Sequence, residues 1–449
     1  MSNTITIAPV SRLEGHGKVT LQLDAGGEVE SAHFHVVEFR GFEKFCEGRL
    51  ASEMPVITPR ICGICPVSHH LAAAKACDDA FGVELPPAAA KLRELMHHAQ
   101  TIHSHALHFF YLAAPDYLLG PDADPSARNV VGLVQADPEL AGKAIRLRKV
   151  GQELVRRVGG RGIHPVTAIP GGMSKPLSHE DRYQSSRDLA EALPLAHLAI
   201  SLWKQLADRH GEFVDNFGTS PSSYMSLVKG DTMDLYDGDV RVVDSAGQPL
   251  AEFAPRDYAA HISERVEPWT YLKFPYLTQL GYPAGTYRVG PLARLNIAQR
   301  LSTPEADAEL REFKQLGRGG LVHPTLHYHY ARVIELLHSV ERARELIADD
   351  DIVSREVRVQ AIRCAGEGVG IIEAPRGTLI HHYWVDDMGK LERANLIVGT
   401  IHNNPALDAT VGEVARHYVH DGQPTEGALN RIEMAVRCYD PCLSCATHA

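Results

Sequence analysis

The sequence predicts an α+β protein that is mainly α-helical, with a central bundle of long helices and small β-hairpin or sheet regions at its periphery. Long segments with apolar residues at every third or fourth position predict the helices, and short alternating runs predict the strands. Two Cys-x-x-Cys pairs lie near opposite ends of the chain. We therefore expect the active site to lie between the N- and C-terminal segments.

The first predicted element is a β-hairpin near the N-terminus. Val19, Leu21 and Leu23 alternate with polar neighbours, residues 25–27 supply small turn residues, and a second apolar run ends at Val36. By the same pattern, later strands are predicted over residues 237–253 (a hairpin that turns at 244–247), 371–385 and 391–401.

The helical segments share the 3.6-residue apolar repeat, and several begin at a proline, which the first turn of a helix tolerates. They are predicted over residues 66–80, from Pro87 to about Phe110, and over 138–158, 185–217, 304–315 and 324–347. The segment from Pro87 carries His97, His98, His103, His105 and His108. A histidine beside an apolar stripe is usually a hydrogen-bonded core or surface residue, so we do not expect these histidines to bind a metal.

The chain shows no internal repeat and no flexible linker, which predicts a single domain over residues 1–449. Four regions are expected within it. They are an N-terminal β region (1–60), a helical core (61–220), a peripheral β or irregular region (221–300), and a last region of helices and β structure that carries the second cysteine pair (301–449).

The composition argues against several classes of protein. A formal net charge of −11 is unlike a nucleic-acid-binding protein, which usually carries a basic patch. No apolar run approaches the roughly 18 residues of a membrane span, and the N-terminus lacks the pattern of a secretory signal. We expect a cytoplasmic protein with no membrane span, unless a partner that carries a signal exports it.

The two cysteine pairs are candidate metal ligands, because thiolates are soft ligands that suit zinc, nickel, copper or iron. A zinc ribbon separates its pairs by roughly 15–20 residues, whereas Cys65 and Cys442 are 377 positions apart. The spacing favours a centre that the whole fold assembles. The other cysteines, which lack such spacing, are expected to be simply buried: Cys46, Cys77, Cys364 and Cys438.

Motifs along the whole chain resemble those of the large subunit of nickel–iron hydrogenases. The pattern RxCGxCxxxH at 60–69 pairs with DPCxxCxxH at 440–448. Supporting matches are SRLEGHGKV (11–19), EFRGFEKF (38–45), EAPRGTLIHHY (373–383) and NLIVGTIHNN (395–404). Within that family the chain is most similar to the catalytic subunit of cytoplasmic, bidirectional NAD-reducing enzymes, and methyl-viologen-reducing relatives share much of the pattern.

The resemblance implies a centre that cleaves H2 reversibly into protons and electrons. Cys62, Cys65, Cys442 and Cys445 would bind nickel. Two of them, Cys65 and Cys445, would also bridge to an iron that carries one carbon monoxide and two cyanides.

It also implies roles for residues around the metals. Glu14 would receive the proton from a cysteine sulfur, as a carboxylate of suitable pKa can. The Arg376 guanidinium would lie over the metals with Asp440 and Pro375 beside it, and its role would be electrostatic because arginine stays protonated. His69 would donate a hydrogen bond to a bridging sulfur.

Two positions depart from the family's common pattern. Residues 103–105 read His-Ser-His where relatives have His-Asp-His, so one carboxylate above the metals is missing. Thr400 would donate to a cyanide nitrogen, but Gly399 stands before it where many relatives have proline. Contacts of the arginine and of that cyanide are therefore expected to differ from those of relatives.

The resemblance further implies a magnesium ion near the C-terminus. Glu43, the Leu396 carbonyl and the His448 ring would bind it together with waters, although a histidine ligand is less usual for magnesium. An iron ion or a structural water cluster is the alternative. Relatives lose a C-terminal extension to a dedicated protease after nickel insertion, and a chain ending one residue beyond His448 is expected to be the processed form.

No cysteine run here is typical of an iron–sulfur cluster, so electrons must leave through another protein. The expected partners are an iron–sulfur small subunit, a diaphorase module that carries FMN and reduces NAD, the maturation protease and nickel-insertion proteins. The alternatives are a methyl-viologen- or ferredoxin-linked enzyme, a regulatory hydrogen sensor, or a structural zinc protein. The quinone-site subunit of respiratory complex I is less favoured, because its members lack the four cysteines.

Overall fold

The computed structural model describes residues 4–317, 319–362 and 365–447. The helices are α1 (Phe42–Cys46), α2 (Met54–Ile57), α3 (Pro66–Ala80), α4 (Pro87–Leu107), α5 (Ala114–Leu118), α6 (Val130–Ala136), α7 (Pro138–Gly159), α8 (His179–Arg209), α9 (Gly211–Asn216), α10 (Tyr258–His261), α11 (Pro291–Ile297), α12 (Pro304–Gln315), α13 (His327–Ala348), α14 (Gly399–Tyr418), α15 (Glu426–Cys438) and α16 (Leu443–Ala446). A π-helical turn continues α4 over His108–Ala113. The predicted mixture of helices and strands is confirmed.

The strands form several small sheets. They are β1 (Thr4–Ile7), β2 (Lys18–Leu23), β3 (Val29–His35), β4 (Ala168–Ile169), β5 (Gly172–Met173), β6 (Ser223–Lys229), β7 (Thr232–Met233), β8 (Asp239–Val243), β9 (Pro249–Phe253), β10 (Ile262–Val266), β11 (Lys273–Leu277), β12 (Tyr287–Arg288), β13 (Gly366–Ala374), β14 (Gly377–Val385) and β15 (Leu391–Ile397). The sheet orders are β1-β2-β3, β12-β6-β8-β9 with β7 on β6, β13-β14-β15, β10-β11 and β4-β5. Both predicted hairpins are confirmed, because β2 pairs with β3 and β8 pairs with β9 in antiparallel register.

Helix boundaries follow the prediction where a proline marks the start. The helices α3 and α12 begin and end at the predicted residues. The segment predicted as one helix over 185–217 instead begins at His179 and is divided into α8 and α9. The Ser178 hydroxyl accepts the Asp181 N–H (3.0 Å), and this cap starts the helix before the apolar repeat becomes visible.

The long helices α4, α7, α8 and α13 pack against one another. At the crossing of α4 and α7 the backbones touch, since a Cβ added at Gly151 would lie 2.6 Å from the Ala99 carbonyl oxygen. The five histidines of the α4 segment bond to protein groups on Glu373, Ser339, Arg148, Glu335 and Arg437. None of the helices among the described residues is long and apolar enough to cross a bilayer.

The sheet of β13, β14 and β15 lies directly on α3. A Cβ at Gly368 would be 2.1 Å from the Ala76 carbonyl oxygen, and one at Gly370 would be 2.2 Å from that of Ala72. Glycine at these positions permits backbone contact. As β13 runs toward its end at Ala374, it follows α3 back toward its N-terminus, so the turn between β13 and β14 lies beside the start of α3.

The N-terminal and C-terminal segments meet at the same end of the molecule. The Leu443 N–H donates to the Glu14 carbonyl (3.1 Å). Gly15 has a φ of +86°, and a Cβ there would lie 2.7 Å from the Leu443 Cβ. A glycine is thus required both by the backbone conformation and by the close approach of the C-terminal segment.

Candidate metal centre

The four cysteines of the two pairs converge at a buried site. Their sulfurs all lie within 4.8 Å of one another, with 3.3 Å between Cys62 and Cys442 and 3.1 Å between Cys65 and Cys445. These distances exceed the roughly 2.05 Å of a disulfide, and the thiols are free. Within the described ranges, this group alone brings three or more His, Cys, Asp or Glu side chains close enough to share a metal ion.

The first pair is presented by the N-terminus of α3. A 3-10 turn over Thr58–Ile61 precedes Cys62, whose sulfur accepts the Ile64 N–H (3.2 Å). Cys65 is the N-cap residue of α3, and Pro66 takes the first helical position, where a missing N–H costs nothing. The positive end of the helix dipole favours a thiolate at this place.

The second pair is held by residues from distant parts of the chain. The Cys442 N–H donates to the Thr400 hydroxyl at the start of α14 (2.9 Å), and the next N–H, of Leu443, is the one bonded to the Glu14 carbonyl. Cys445 follows in α16, which has only four residues. The position of this pair therefore depends on tertiary contacts rather than on a helix of its own.

The Glu14 carboxylate lies against the second pair. Its Oε2 accepts a hydrogen bond from the Cys442 thiol (3.2 Å) and another from the Ser444 N–H (2.9 Å), while Oε1 accepts from the Ser444 hydroxyl. Ser444 thus fixes the carboxylate, a role that no sequence motif indicates. The predicted proton acceptor is therefore within hydrogen-bond distance of a cysteine sulfur.

The charge of the cluster requires a cation. Burial raises the pKa of the Cys442 and Cys445 thiols well above its ordinary value. Hydrogen bonds from the neighbouring cysteines, the nearest being Cys442, hold the pKa of Cys62 well below it. One thiolate is thus stable among three thiols, and further ionisation in so small a volume needs a bound metal. The donor set fits a soft metal that takes sulfur ligands.

A chain of buried hydrogen bonds leads away from Cys445. The His69 Nε2 lies 3.4 Å from the Cys445 sulfur, and its Nδ1 lies 3.1 Å from the His381 Nε2. The His381 Nδ1 in turn lies 2.7 Å from the Tyr383 hydroxyl. Sequence motifs single out His69, whereas His381 and Tyr383 are revealed only by β14, which places alternate residues on the face toward α3.

Arg376, in the turn between β13 and β14, borders the cysteines. Its Nε donates to the Asp440 carbonyl (2.7 Å), and Nη2 donates to the Asp440 carboxylate (3.2 Å). Asp440 has a φ of +51°, an uncommon conformation for a residue other than glycine, and burial raises its carboxyl pKa. The Arg376 Nη1 and the Asp440 Oδ2 are buried and have no hydrogen-bond partner, which leaves polar atoms available to a bound group.

A small cavity of about 290 Å³ adjoins these side chains. It is lined by Cys65, Ser68, His69, Ala374, Pro375, Arg376, Leu379, Val398, Gly399, Thr400, Cys442 and Cys445. Three of the four predicted cysteine ligands thus face one space together with the predicted histidine, proline, arginine and threonine, and Gly399 faces it as well.

The predicted magnesium ligands are brought together only in part. The Glu43 Oε1 accepts the Leu396 N–H (2.7 Å), so these two residues are adjacent. His448 lies outside the described residues. Of the remaining cysteines, Cys364 also lies outside them. Cys46, Cys77 and Cys438 are buried and do not belong to the cluster.

The geometry agrees with comparisons to known proteins. The model of the nickel-dependent hydrogenase family matches residues 40–143 and 235–448, and a HoxL-like model matches residues 4–39. The matching chain of the F420-non-reducing hydrogenase vhc of Methanococcus voltae is 46% identical over 99% of this chain and 94% of its own length. The NAD-reducing hydrogenase HoxS subunit beta of Cupriavidus necator is 44% identical over 100% of this chain and 95% of its own.

Solved structures agree on the fold. The crystal structure of an NAD⁺-reducing nickel–iron hydrogenase in the H2-reduced state is 48% identical, covers 99% of each chain and superposes with a TM-score of 0.96. A nickel–iron–selenium hydrogenase from D. vulgaris Hildenborough, at 22% identity, shares the fold with a TM-score of 0.82. The chain therefore belongs to the nickel-dependent hydrogenase family, as a large, catalytic subunit.

Proposed function

We propose that Cys62, Cys65, Cys442 and Cys445 hold a nickel–iron centre at which H2 is cleaved reversibly into protons and electrons. Cys65 and Cys445 bind both metals, and the iron carries one carbon monoxide and two cyanides. When bound, the metals supply Lewis-acid and redox chemistry. The observation that carries the proposal is the convergence of four buried sulfurs from remote segments beside a carboxylate.

Glu14 takes the proton that leaves a cysteine sulfur. Its Oε2 is 3.2 Å from the Cys442 sulfur, which is within reach of a direct transfer. The two hydrogen bonds from Ser444 hold the carboxylate in place, so little reorganisation precedes the transfer. The side chain is partly exposed at the junction of the termini, and this gives the proton a way out of the buried site.

Arg376 orients groups above the metals by its charge. Asp440 fixes two of its nitrogens, and the Nη1 without a partner is free to donate into the site. Pro375 lines the same cavity. This arginine needs no further carboxylate nearby to be held, which accommodates serine at position 104.

Two further residues set the cysteine geometry. His69 hydrogen-bonds the Cys445 sulfur through Nε2, and its other nitrogen is bonded to His381, which fixes the orientation of the ring. Thr400 accepts the Cys442 N–H with its oxygen, and its own O–H remains able to donate to a cyanide in the adjoining cavity.

A magnesium ion near the C-terminus is proposed with Glu43, the Leu396 carbonyl and His448 as protein ligands. The hydrogen bond between the Glu43 carboxylate and the Leu396 N–H supports the first two. Carboxylate and carbonyl oxygens suit a hard cation that keeps several waters.

The electrons leave through an iron–sulfur small subunit that docks beside the metal site. Val37, Phe39 and Tyr271 form an apolar patch, with exposed fractions of 61%, 63% and 59%, and the rings of Phe39 and Tyr271 are 5.9 Å apart. Arg40, next to Phe39, donates to the Ser444 carbonyl (2.7 Å). The patch therefore adjoins a side chain that touches the cysteine segment, which is where an electron-accepting partner has to dock.

The final acceptor is proposed to be NAD⁺, reached through a flavin-containing diaphorase module in the cytoplasm. Relatives named as NAD-reducing and as F420-non-reducing are almost equally similar to this chain. The structural match to an NAD⁺-reducing enzyme favours the first, and a methyl-viologen- or ferredoxin-linked enzyme is the second candidate. Nickel-insertion proteins and a maturation protease are proposed to complete the centre.

A single domain organised around the four long helices is proposed for the whole chain. The contacts that support it join distant positions, such as the Ser11 N–H to Glu433 (2.6 Å) and Phe34 N–H to Asp408 (2.7 Å). The cysteine cluster itself requires residues 62 and 445 to belong to the same folded unit.

Infrared spectroscopy and metal analysis of the matured protein test the proposed function. We expect one nickel and one iron at the cysteines, one carbon monoxide stretch and two cyanide stretches, and exchange between D2 and water protons. Zinc in place of nickel, or no diatomic stretches from a fully matured sample, would contradict it. Normal spectra with very slow turnover and a signalling partner would indicate a hydrogen sensor instead.

A further inference from the structure

A buried guanidinium lies behind the turn that carries Arg376. Arg294, on α11, is 1% exposed, and its five hydrogen bonds all go to buried acceptors. These are Glu335 Oε1, Glu335 Oε2 (2.7 Å), Glu373 Oε2 (2.8 Å), the Ala374 carbonyl (3.0 Å) and the Pro375 carbonyl (3.3 Å). Two of the five acceptors are thus the main-chain carbonyls immediately before Arg376.

The turn has little room on its other sides. A Cβ at Gly290 would lie 2.9 Å from the Arg376 carbonyl oxygen, and one at Gly399 would lie 2.8 Å from the Arg376 carbonyl carbon. The Asn403 side chain donates to the same carbonyl oxygen (3.4 Å). The backbone that presents the Arg376 side chain is therefore enclosed by close contacts, and Arg294 is the charged group among them.

The carboxylates hold the Arg294 fork in one orientation. Glu335, on α13, binds it in a bidentate manner and also lies 2.9 Å from the His105 Nε2 on α4. Despite burial, the Arg294 charge and hydrogen bonds keep the Glu335 pKa at about 2, so this carboxylate is ionised. Glu373 receives further bonds from the Leu227 N–H (3.0 Å) and the Thr378 hydroxyl (2.8 Å).

Buried ion pairs are weak evidence for stability, because desolvation offsets much of the attraction. What this network supplies instead is geometry. A planar guanidinium with five donors in a fixed fork can bind a carboxylate and two consecutive carbonyls at once, which an ammonium cannot reproduce. Arg294 thereby ties the catalytic turn to α13 and, through His105, to α4.

We propose that Arg294 is a positioning residue for Arg376: it fixes the carbonyls of Ala374 and Pro375 and so sets the direction in which the Arg376 guanidinium faces the cysteines. The proposal rests on the function proposed above, since the value of that direction depends on the metal site. The hold on the turn itself is a property of the folded chain and is measurable without metals.

Arg294→Lys is the variant that tests it, and Arg93→Lys is the matched control. Arg93 is also fully buried, pairs with a carboxylate on Asp78 and donates to two carbonyls, those of Ile169 (2.7 Å) and Gly172 (3.0 Å). It lies away from the Arg376 turn. A general cost of replacing a buried arginine will therefore affect both variants, whereas loss of positioning will affect one.

Amide hydrogen exchange of the metal-free chain is the first measurement. We expect Arg294→Lys to speed exchange in the peptide over residues 372–380 by about tenfold or more through local opening, and Arg93→Lys to leave that peptide unchanged. If Arg294→Lys does not yield folded protein, Glu335→Gln, which removes the bidentate partner and keeps the arginine, is expected to speed the same exchange. Equal exchange in wild type, both test variants and the control would overturn the proposal.

The matured enzyme provides the second measurement. With nickel content matched to wild type, Arg294→Lys is expected to shift the carbon monoxide and cyanide stretches and to lower kcat about 100-fold, as small misplacements of a catalytic group can. Arg93→Lys is expected to change neither. Unshifted stretches and wild-type kcat in Arg294→Lys would also overturn the proposal, whereas missing stretches in wild type would count against the metal centre alone.

Discussion

The two cysteine pairs reach one site by different means. Cys62 and Cys65 lead directly into α3, a helix of 15 residues that packs on β13 and β14. The second pair lies in and beside the four-residue α16 and depends on hydrogen bonds to Glu14 and Thr400. Local structure thus places the first pair, while the second reaches its position only after distant segments have folded.

The difference extends to charge. The first pair includes Cys62, whose thiol has a lowered pKa, and both thiols of the second pair have raised pKa values. A metal that arrives at the folded chain therefore meets an ionised sulfur on the α3 side first. Closing the C-terminal segment then supplies the remaining ligands, and the second pair should be the more sensitive to single substitutions around it.

Removing a sulfur is expected to have the largest effect. Cys445→Ser replaces a soft ligand by a poor one and should abolish nickel retention and H2 turnover, as should Cys65→Ser. Nickel content by mass spectrometry and D2 exchange measure these losses. Cys77→Ser is the control, since Cys77 is buried and its sulfur bonds the Ala51 carbonyl (3.0 Å) outside the cluster. Nickel retained at wild-type level in Cys445→Ser would show that the second pair is no ligand.

A loss of proton transfer without a loss of metal is the next largest effect. Glu14→Gln keeps the shape of the side chain but cannot take up the proton from Cys442, and general acid–base groups contribute about 10²–10⁴-fold to rates. We expect D2 exchange to fall within that range while nickel content and infrared stretches persist. Glu14→Asp, which keeps a carboxylate on a shorter chain, should retain more activity. Wild-type exchange in Glu14→Gln would remove Glu14 from the proton path.

The comparison also explains how far the sequence alone could predict this protein. Helix α3 was predictable to the residue, because Pro66 marks its start and the apolar repeat marks its length. The convergence of the two pairs was predictable from their motifs. The residues that hold the second pair in place were less so: nothing in the local pattern marks Ser444 as the group that fixes Glu14.

Long-range contacts account for most of what the sequence did not reveal. Arg294 and Glu335 form their network across distant segments, so neither has a motif that predicts it. The cap at Ser178, by contrast, is a local signal that the search for apolar periodicity passed over. Local chemistry is therefore predictable in principle, whereas partners of buried charged groups require the fold.

A hydroxyl on each side of the site offers a direct test of the difference between the pairs. Thr400→Val removes the acceptor of the buried Cys442 N–H and leaves that donor unsatisfied, which costs about 1–3 kcal/mol. Thr58→Val, on the α3 side, removes only a donor to the Met54 and His69 carbonyls. Helical carbonyls have other donors, so we expect a smaller loss there.

Urea unfolding of the metal-free chain measures both variants. A larger loss of unfolding free energy in Thr400→Val, together with faster nickel release from the matured protein, is the expected result. Equal losses, or a larger one in Thr58→Val, would show that the α3 side is not the more robust of the two.

Acid reverses the comparison, because a histidine next to the first pair is held neutral. The His70 Nε2 accepts the Ala168 N–H (2.8 Å) and its Nδ1 donates to the Pro55 carbonyl, so protonation would break the first bond. Burial lowers its pKa from an ordinary value near 6.5 to about 4. Between these values the unfolded chain binds a proton that the folded chain does not, so the stabilising contribution is complete above pH 6.5 and falls as the pH drops toward 4.

This last effect is the smallest of the four. Between pH 7 and pH 5.5 the His70 contribution to the free energy of unfolding should fall by about 1 kcal/mol. His70→Gln can preserve both hydrogen bonds with its amide but does not titrate. Urea unfolding at the two pH values should therefore show a steeper loss in wild type than in His70→Gln, since the other buried histidines titrate in both. Parallel losses would mean that His70 keeps its proton balance on unfolding, and the α3 side would then be the robust one under acid as well.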